Sequence, residues 1–133
     1  MKTTARDIMS TELITAKDDS TIEEGVKLLV NNRITGLPVV NKTGKLVGVL
    51  SEYDILNQLS KLESMGTKAF RQKVEFSKSV EAIDEKTSLE KILSMMVNAK
   101  FRRLPVTNSK GQLVGIITRR DLIRLFYYRA RLT

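Results

Sequence analysis

Two apolar runs of the chain end at a hydroxyl residue that lies three positions before an aspartate. Ser51 precedes Asp54 and Thr118 precedes Asp121, each at the end of an apolar run. At a helix start, this spacing caps free backbone N–H groups with the hydroxyl and the carboxylate. The same groups can bind a ligand, since a carboxylate accepts hydroxyls such as those of a ribose, and a helix N-terminus attracts phosphate. Both interpretations stay open, and they are compatible.

The chain lacks the residue types that most catalytic centres use. Its 133 residues include no Cys and no His, which excludes thiol nucleophiles, imidazole bases, thiolate metal sites and disulfides. We therefore expect neither an enzyme nor a metal site. No stretch approaches the roughly 18 apolar residues of a membrane span, and the N-terminus has no signal-like apolar run. We expect a cytoplasmic protein that makes no membrane contact.

The net charge of +8 is concentrated in the second half of the chain. Residues 1–67 hold eight Lys or Arg against nine Asp or Glu, whereas residues 68–133 hold fifteen against six. Such a basic surface attracts nucleotide phosphates, nucleic acid, an anionic membrane or an acidic protein, or it is simply solvated. Tyr127 and Tyr128 beside Arg129 suit single-stranded nucleic acid, although terminal tyrosines also serve dimer or core contacts.

The chain repeats itself at an offset of 67 residues. Without a gap, Leu37–Val39 falls on Leu104–Val106, and Asp54 falls on Asp121. Twelve of the 36 aligned pairs from 21/88 to 56/123 are identical, and most others exchange similar residues. A repeat of this length indicates one supersecondary unit used twice.

Each repeat is predicted to fold as βαββα. Capping-box spacing places the start of the first helix at Ser20 with Glu23, or at Thr87 with Glu90. Two short strands joined by a glycine turn follow, and each hairpin leads into a second helix. The predicted strands are 37–41 and 46–50 in repeat 1 and 104–108 and 113–117 in repeat 2, with second helices opening at Ser51 and Thr118.

These patterns predict the α/β (α+β) class. Each unit exposes an apolar sheet and helix face that needs covering, so the two repeats are expected to pack pseudo-symmetrically as one module. The predicted division is repeat 1 with an N-terminal lead-in over residues 1–66, a linker over 67–79, and repeat 2 with a C-terminal helix over 80–133.

The chain resembles the CBS (cystathionine beta-synthase) domains, whose tandem pairs are called Bateman modules. The matching stretches are the lead-in Asp7–Ser10, then Arg33–Val40 with Gly48–Asp54, and Arg102–Val106 with Gly115–Asp121. Together they span nearly the whole chain, and they are most similar to stand-alone two-CBS proteins. The resemblance implies a regulatory module that binds an adenine nucleotide (AMP, ADP or ATP) or a related adenosyl ligand such as S-adenosylmethionine.

The resemblance also implies two cross-assembled nucleotide sites. Site A would hold ribose and phosphate with Thr118 and Asp121, and phosphate also with Arg103 and Ser10. Its adenine would lie among Ile14, Ile34, Thr35 and Gly36.

Site B would use Ser51 and Asp54, with Glu81, Phe101 and Arg102 around the base. Glu81 stands where site A has Ile14, and Phe76-Ser77 replaces Met9-Ser10. Site B is therefore expected to be the weaker site.

Two further expectations concern partners. Leu122, Ile123, Leu125, Phe126 and Tyr127 point in too many directions around the last helix to be buried by one neighbour, which favours a homodimer. A regulated protein partner is also compatible with the resemblance. The alternatives to nucleotide sensing are a protein-interaction module without ligand and a nucleic-acid-binding protein.

Overall fold

The computed structural model describes residues 2–99 and 101–132. They form two mixed α/β units, each with a three-stranded sheet. The repeat-1 unit comprises Ile14–Val80, and the repeat-2 unit comprises the residues up to Leu13 together with those from Glu81 onward. The predicted α/β class is confirmed.

The repeat-1 unit has the predicted βαββα order. Its elements are β1 (Ala16–Lys17), α2 (Ile22–Asn32), β2 (Gly36–Val40), β3 (Leu46–Ser51) and α3 (Glu52–Lys61), followed by a 3-10 helical segment (Glu63–Arg71). β2 lies between β1, which is parallel to it, and β3, which is antiparallel. Leu37, Val39 and Leu50 are buried against Ile22 of α2 and Ile55 of α3.

The repeat-2 unit repeats this architecture. Its elements are α1 (Ala5–Ile8), β4 (Ile83–Asp84), α4 (Leu89–Val97), β5 (Arg103–Thr107), β6 (Leu113–Thr118) and α5 (Arg119–Leu132). The sheet order is β4-β5-β6, again parallel and then antiparallel. Leu104, Val106 and Ile117 take the core positions that Leu37, Val39 and Leu50 hold in the other unit.

The first helix of each repeat starts one residue later than the sequence predicts. Thr21 is the N-cap of α2 and forms a capping box with Glu24, and Ser88 caps α4 by accepting from the N–H of Lys91. Ser20 is instead buried, and its Oγ accepts from the N–H of Lys17 at 3.0 Å. Its hydroxyl therefore closes the turn after β1 and leaves the helix start to Thr21. The predicted cap at Thr87 is also displaced by one residue, and Thr87 N–H closes the equivalent turn by donating to the Asp84 carbonyl at 3.0 Å, as Ser20 N–H does to the Lys17 carbonyl.

The N-terminal lead-in belongs to the repeat-2 unit, although it precedes repeat 1 in the chain. Ser10 forms an antiparallel bridge with Ile116 of β6, and Thr4 forms one with Ser88. The ion pair between Arg6 and Glu85 (2.7 Å) also fastens it, and the hydrogen bond and charge of Glu85 raise the pKa of Arg6. These two bridges join positions 84 and 106 residues apart, a pairing that chain order does not reveal and that attaches the lead-in to this unit.

The predicted linker is held by the repeat-1 unit. Ser77 bridges Val49 of β3, as Ser10 bridges Ile116 in the other unit. The buried side chain of Gln58 on α3 donates to the Lys73 carbonyl (2.7 Å) and accepts from the Glu75 N–H (2.9 Å). These bonds make residues 73–77 an extra extended segment of the unit.

Candidate functional site

The two hydroxyl and aspartate pairs form matching capping boxes. Oδ2 of Asp54 accepts from the backbone N–H (2.8 Å) and hydroxyl (2.9 Å) of Ser51. Oδ2 of Asp121 accepts from the same two groups of Thr118 at 2.8 and 3.0 Å. In return, each aspartate N–H donates to the hydroxyl oxygen, at 3.2 and 3.4 Å. The capping interpretation of the motif is therefore correct for both helices.

The capping box uses one oxygen of each carboxylate and leaves the other available. Within the described part of the chain, Oδ1 of Asp54 accepts no hydrogen bond. Oδ1 of Asp121 lies 3.7 Å from a guanidinium nitrogen of Arg124, which is more than half exposed. Each half-buried aspartate thus keeps an oxygen that can accept a ligand hydroxyl without disturbing the helix cap.

The repeat-2 unit brings together the four polar residues assigned to site A. Arg103 is the register partner of Thr118 across the β5–β6 ladder. Ser10 pairs with Ile116, two residues before Thr118, through hydrogen bonds of 2.9 and 3.0 Å. Asp121 lies on the first turn of α5, directly after this strand. A hydroxyl acceptor, two hydroxyls and a cation therefore surround the carboxyl end of β6.

The repeat-1 unit gathers a corresponding set around Ser51 and Asp54. Gly36 is the register partner of Ser51, and the N–H of Glu52 donates to the Thr35 carbonyl at 3.0 Å. Ile34 packs on the core of this unit, whereas Ile14 is 38% exposed. Thr35 and Gly36, which are assigned to the base of site A, are thus neighbours of Ser51 and Asp54, which are assigned to site B.

Three residues assigned to the base of site B lie in the repeat-2 unit. Phe101 packs against the core of that unit, and the Arg102 carbonyl accepts from the N–H of Arg119 at 3.3 Å. Glu81 is exposed, and among the described residues it forms no ion pair with Arg102. The rescue of site B by pairing of Arg102 with Glu81 is therefore not seen among the described residues.

Sequence reasoning assigned no site role to three side chains near these positions. Ser77 occupies the place of Ser10 in the other unit, which the 67-residue offset alone indicates. Arg124 lies one turn after Asp121, a spacing that predicts the ion pair. Arg119 donates to the carbonyls of Phe101 (3.1 Å) and Met96 (3.3 Å), and no local pattern identifies that contact.

The described residues contain no group of three or more carboxylate, imidazole or thiol side chains placed to hold a metal ion. None of the helices in residues 2–99 and 101–132 has the length and apolarity to cross a bilayer. The polar clusters around β3 and β6 are thus the candidate functional sites that the geometry offers.

Comparison with known proteins gives a family match over most of the chain. The family model for the CBS domain matches residues 5–61 and 73–128. The chloroplastic CBS domain-containing protein CBSX1 of Arabidopsis thaliana is 34% identical over 139 residues, which cover 85% of this chain and 58% of that protein. The chain therefore spans little more than half the length of this relative.

Solved structures resemble the chain over nearly all of its length. The crystal structure of CBSX2 in complex with AMP is 32% identical, with a TM-score of 0.78, and the match covers 96% of this chain and 98% of that one. The CBS domain pair of protein MJ0100, crystallised with 5-methylthioadenosine and S-adenosyl-L-methionine, is 28% identical with a TM-score of 0.72; the match covers 97% of this chain and 99% of that one.

Proposed function

The chain belongs to the CBS-domain family, and from that premise we propose that it is a non-enzymatic regulatory module that binds an adenine nucleotide. The observation that carries the proposal is the cluster around β6 in the repeat-2 unit. There the Asp121 carboxylate keeps Oδ1 outside the helix cap, beside Thr118, Ser10 and Arg103. Bound AMP in CBSX2 and bound adenosyl ligands in protein MJ0100 support an adenosine ligand.

The chemistry of the cluster matches the polar parts of a nucleotide. A ribose presents two neighbouring hydroxyls, and a charged acceptor contributes about 1.5–3 kcal/mol per hydrogen bond. The positive end of the α5 helix dipole and the guanidinium of Arg103 suit a phosphate. The apolar residues Ile14 and Ile34, with Thr35 and Gly36, remain the predicted surroundings of the adenine.

The arginines of the repeat-2 unit favour a phosphorylated ligand. Arg103 is the register partner of Thr118, Arg124 lies beside Asp121, and Arg119 and Arg120 open the same helix. This positive field attracts the phosphates of AMP, ADP or ATP and disfavours the sulfonium of S-adenosylmethionine. We therefore place the nucleotides ahead of S-adenosylmethionine as ligands.

The regulatory assignment rests on what the site can do to its ligand. Carboxylate, hydroxyl and guanidinium groups here bind and orient, and the chain has no Cys or His for nucleophilic or imidazole chemistry. The bound nucleotide should be recovered chemically unchanged. Its effect would be to stabilise one arrangement of the protein for a regulated partner.

We also propose that the chain forms a homodimer. Ile123 is 70% exposed, Phe126 45% and Tyr127 54%, and all three lie on α5. Large apolar side chains grouped on one helix mark an interaction surface. Light scattering at tens of micromolar protein should give the mass of two 15.0 kDa chains; a single-chain mass would contradict this part of the proposal.

A thermal-shift panel tests the nucleotide proposal. The full chain is melted at fixed magnesium and salt with AMP, ADP, ATP, GMP, GTP and S-adenosylmethionine. An adenine nucleotide at 100 times its dissociation constant should stabilise the protein by about 2.7 kcal/mol. Chromatography of the ligand afterwards should return it intact. If several millimolar of each adenosine ligand leave the melting temperature unchanged, the sensor proposal fails and a ligand-free protein-interaction module replaces it.

A further inference from the structure

The repeat-1 unit contains a cavity of about 750 Å³ near the β2–β3 hairpin turn. Its lining residues come from the turn after β1, from strand β3 and from the extended segment that follows the 3-10 helical segment. They are Asp18, Val47, Val74, Glu75, Phe76 and Lys78. Val47 is the second residue of β3 and Ser51 the last, so their Cα atoms lie about 13 Å apart along the strand. The cavity is thus separate from the candidate nucleotide sites, with which it shares no assigned residue.

The floor of this cavity is apolar and is fixed by the core of the unit. Val74 is 5% exposed and belongs to that core, and Val47 and Phe76 pack against it. The Phe76 ring lies directly over Gly48, where an added Cβ would be 2.6 Å from its Cδ2 atom. A ligand group placed here meets a preformed apolar surface, as in most small-molecule sites.

Three exposed charged side chains surround the apolar floor. Asp18 and Glu75 are acidic, and Lys78 is basic. Among the described residues, neither carboxylate accepts a hydrogen bond or forms an ion pair, and the Lys78 ammonium has no ion-pair partner. The cavity therefore offers both signs of charge to a ligand, because the charges are not used on each other.

The repeat-2 unit has the same fold without this arrangement of charges. The lead-in is its counterpart of the extended segment, since each bridges the second hairpin strand of its unit through a serine. On that alignment Glu75 corresponds to Ile8, which packs against the repeat-2 core. Asp18 corresponds to Glu85, whose carboxylate is held by Arg6 at 2.7 Å. The fold thus does not require two unpaired carboxylates at these positions.

We propose that the repeat-1 cavity binds a free α-amino acid with an apolar side chain. Such a molecule carries an ammonium, a carboxylate and an apolar group on one carbon atom. Asp18 and Glu75 accept hydrogen bonds from the ammonium, Lys78 donates to the carboxylate, and the apolar floor takes the side chain. The cavity volume lies within the range of about 300–1,000 Å³ that is usual for small-molecule sites. The inference goes beyond the proposed function, because it adds a second class of ligand apart from the nucleotide.

A ligand series tests the three contacts separately. Thermal melting and proton–nitrogen NMR spectra of the full chain are recorded with leucine, phenylalanine, glycine, leucinamide and isocaproic acid, each at several millimolar. Leucine or phenylalanine should raise the melting temperature and shift the amide signals of Asp18, Val47 and residues 74–78. Glycine, leucinamide and isocaproic acid each lack one of the three groups, so each should bind about tenfold or more weakly.

Charge-removing variants test the assigned residues. Asp18→Asn and Lys78→Gln should each weaken leucine binding about tenfold, since each removes a charge-assisted hydrogen bond. Asp19→Asn is the matched control, because Asp19 is an exposed neighbour of Asp18 that does not line this cavity, and it should bind leucine like the original chain.

Three results would overturn the proposal. Leucine and phenylalanine could leave the melting temperature and the cavity amide signals unchanged, which would mean that the rim charges are simply solvated. Asp18→Asn and Lys78→Gln could bind leucine as tightly as Asp19→Asn does. Leucinamide or isocaproic acid could bind as tightly as leucine. The response to adenine nucleotides is independent of all three results, because the cavity shares no residue with sites A and B.

Discussion

At the scale of single residues, Asp54 and Asp121 serve the fold and remain available for a ligand. Each commits Oδ2 to a capping box of the same geometry, with acceptor distances of 2.8 to 3.0 Å. Their surroundings differ, since Arg124 lies beside Asp121 and the equivalent residue of repeat 1 is the neutral Asn57. The two aspartates are thus matched in their structural role and unmatched in the charge around them.

Replacing each aspartate by alanine should separate these roles. Both Asp54→Ala and Asp121→Ala remove the carboxylate half of a capping box and keep the hydroxyl cap, so each should lower the free energy of unfolding by about 0.3–1 kcal/mol. Only Asp121→Ala should weaken the first nucleotide binding event, by tenfold or more, which corresponds to about 1.4 kcal/mol. Urea denaturation measures the first effect, and isothermal titration with the best ligand of the melting panel measures the second.

The expected difference comes from the residues assigned to the two base pockets. Glu81 stands where site A has Ile14, and its carboxylate has no ion pair with Arg102 among the described residues. An unpaired carboxylate must stay solvated beside a base, because burying it costs several kcal/mol. Two equal sites per chain, or a larger affinity loss from Asp54→Ala, would reverse the assignment of sites A and B.

At the scale of elements, an extended segment crosses the glycine of each second hairpin strand. In the repeat-2 unit, a Cβ on Gly115 would overlap Sδ of Met9 and lie 2.7 Å from its Cγ. In the repeat-1 unit, a Cβ on Gly48 would overlap the Ser77 carbonyl oxygen and lie 2.6 Å from Cδ2 of Phe76. Met9 and Phe76 therefore occupy equivalent packing positions, and the exchange of methionine for phenylalanine does not change the architecture.

The two glycines should nevertheless differ in their tolerance of alanine. The obstacle at Gly48 includes a backbone oxygen in a paired segment, whereas the obstacle at Gly115 is a flexible methionine side chain. Gly48→Ala should lower the free energy of unfolding by about 1–3 kcal/mol, the usual cost of overpacking, and Gly115→Ala by less. The entropy that alanine removes from the unfolded chain is the same in both variants. Urea denaturation of the pair gives the comparison, and an equal or reversed order would contradict it.

At the scale of the whole molecule, the positive charge admits nucleic acid as a competing partner. The repeat-2 unit holds thirteen Lys or Arg against seven Asp or Glu, and the repeat-1 unit holds ten against eight. Part of this charge is already used within the unit, since Arg6 pairs with Glu85, and Arg131 lies over the ring of Tyr127 at 5.6 Å. Arg131 and Tyr127, a cation and an aromatic ring that a nucleic acid could use, thus already contact each other.

Salt dependence separates the two kinds of ligand. We expect oligonucleotides to bind weakly at physiological salt, while the adenine nucleotide retains its affinity because one ligand neutralises few charges. A nucleic-acid-binding protein would instead bind duplex DNA with log affinity falling by about 0.9 per phosphate for each unit of log salt. Fluorescence anisotropy with labelled oligonucleotides from about 50 to about 300 mM salt, over which the Debye length shortens about 2.4-fold, makes the measurement. Tight binding with a slope of several phosphates would replace the sensor function with nucleic-acid recognition.

The sequence by itself determined the repeat, the class and the CBS family. The 67-residue offset with matched apolar strands can be seen in the sequence, because a buried strand requires apolar residues at its buried positions. The caps at Ser51 and Thr118 were also predicted correctly, since capping depends on residues three positions apart. Local rules failed by one residue at Ser20 and Thr87, where neighbouring turns compete for the same groups.

The tertiary structure decided which distant segments belong together. Three contacts join positions that are remote in sequence. They are the bridge of the lead-in to β6, the hydrogen bonds of Gln58 to residues 73–75, and the hydrogen bond of Arg119 to the Phe101 carbonyl. Such contacts depend on where the backbone places a carbonyl or an N–H group, and every residue carries these groups regardless of its type. No pattern of side chains predicts them. The family resemblance assigned Ser10 and Thr118 to one site, and the folded chain adds the backbone pairing that brings Ser10 beside the strand ending at Thr118.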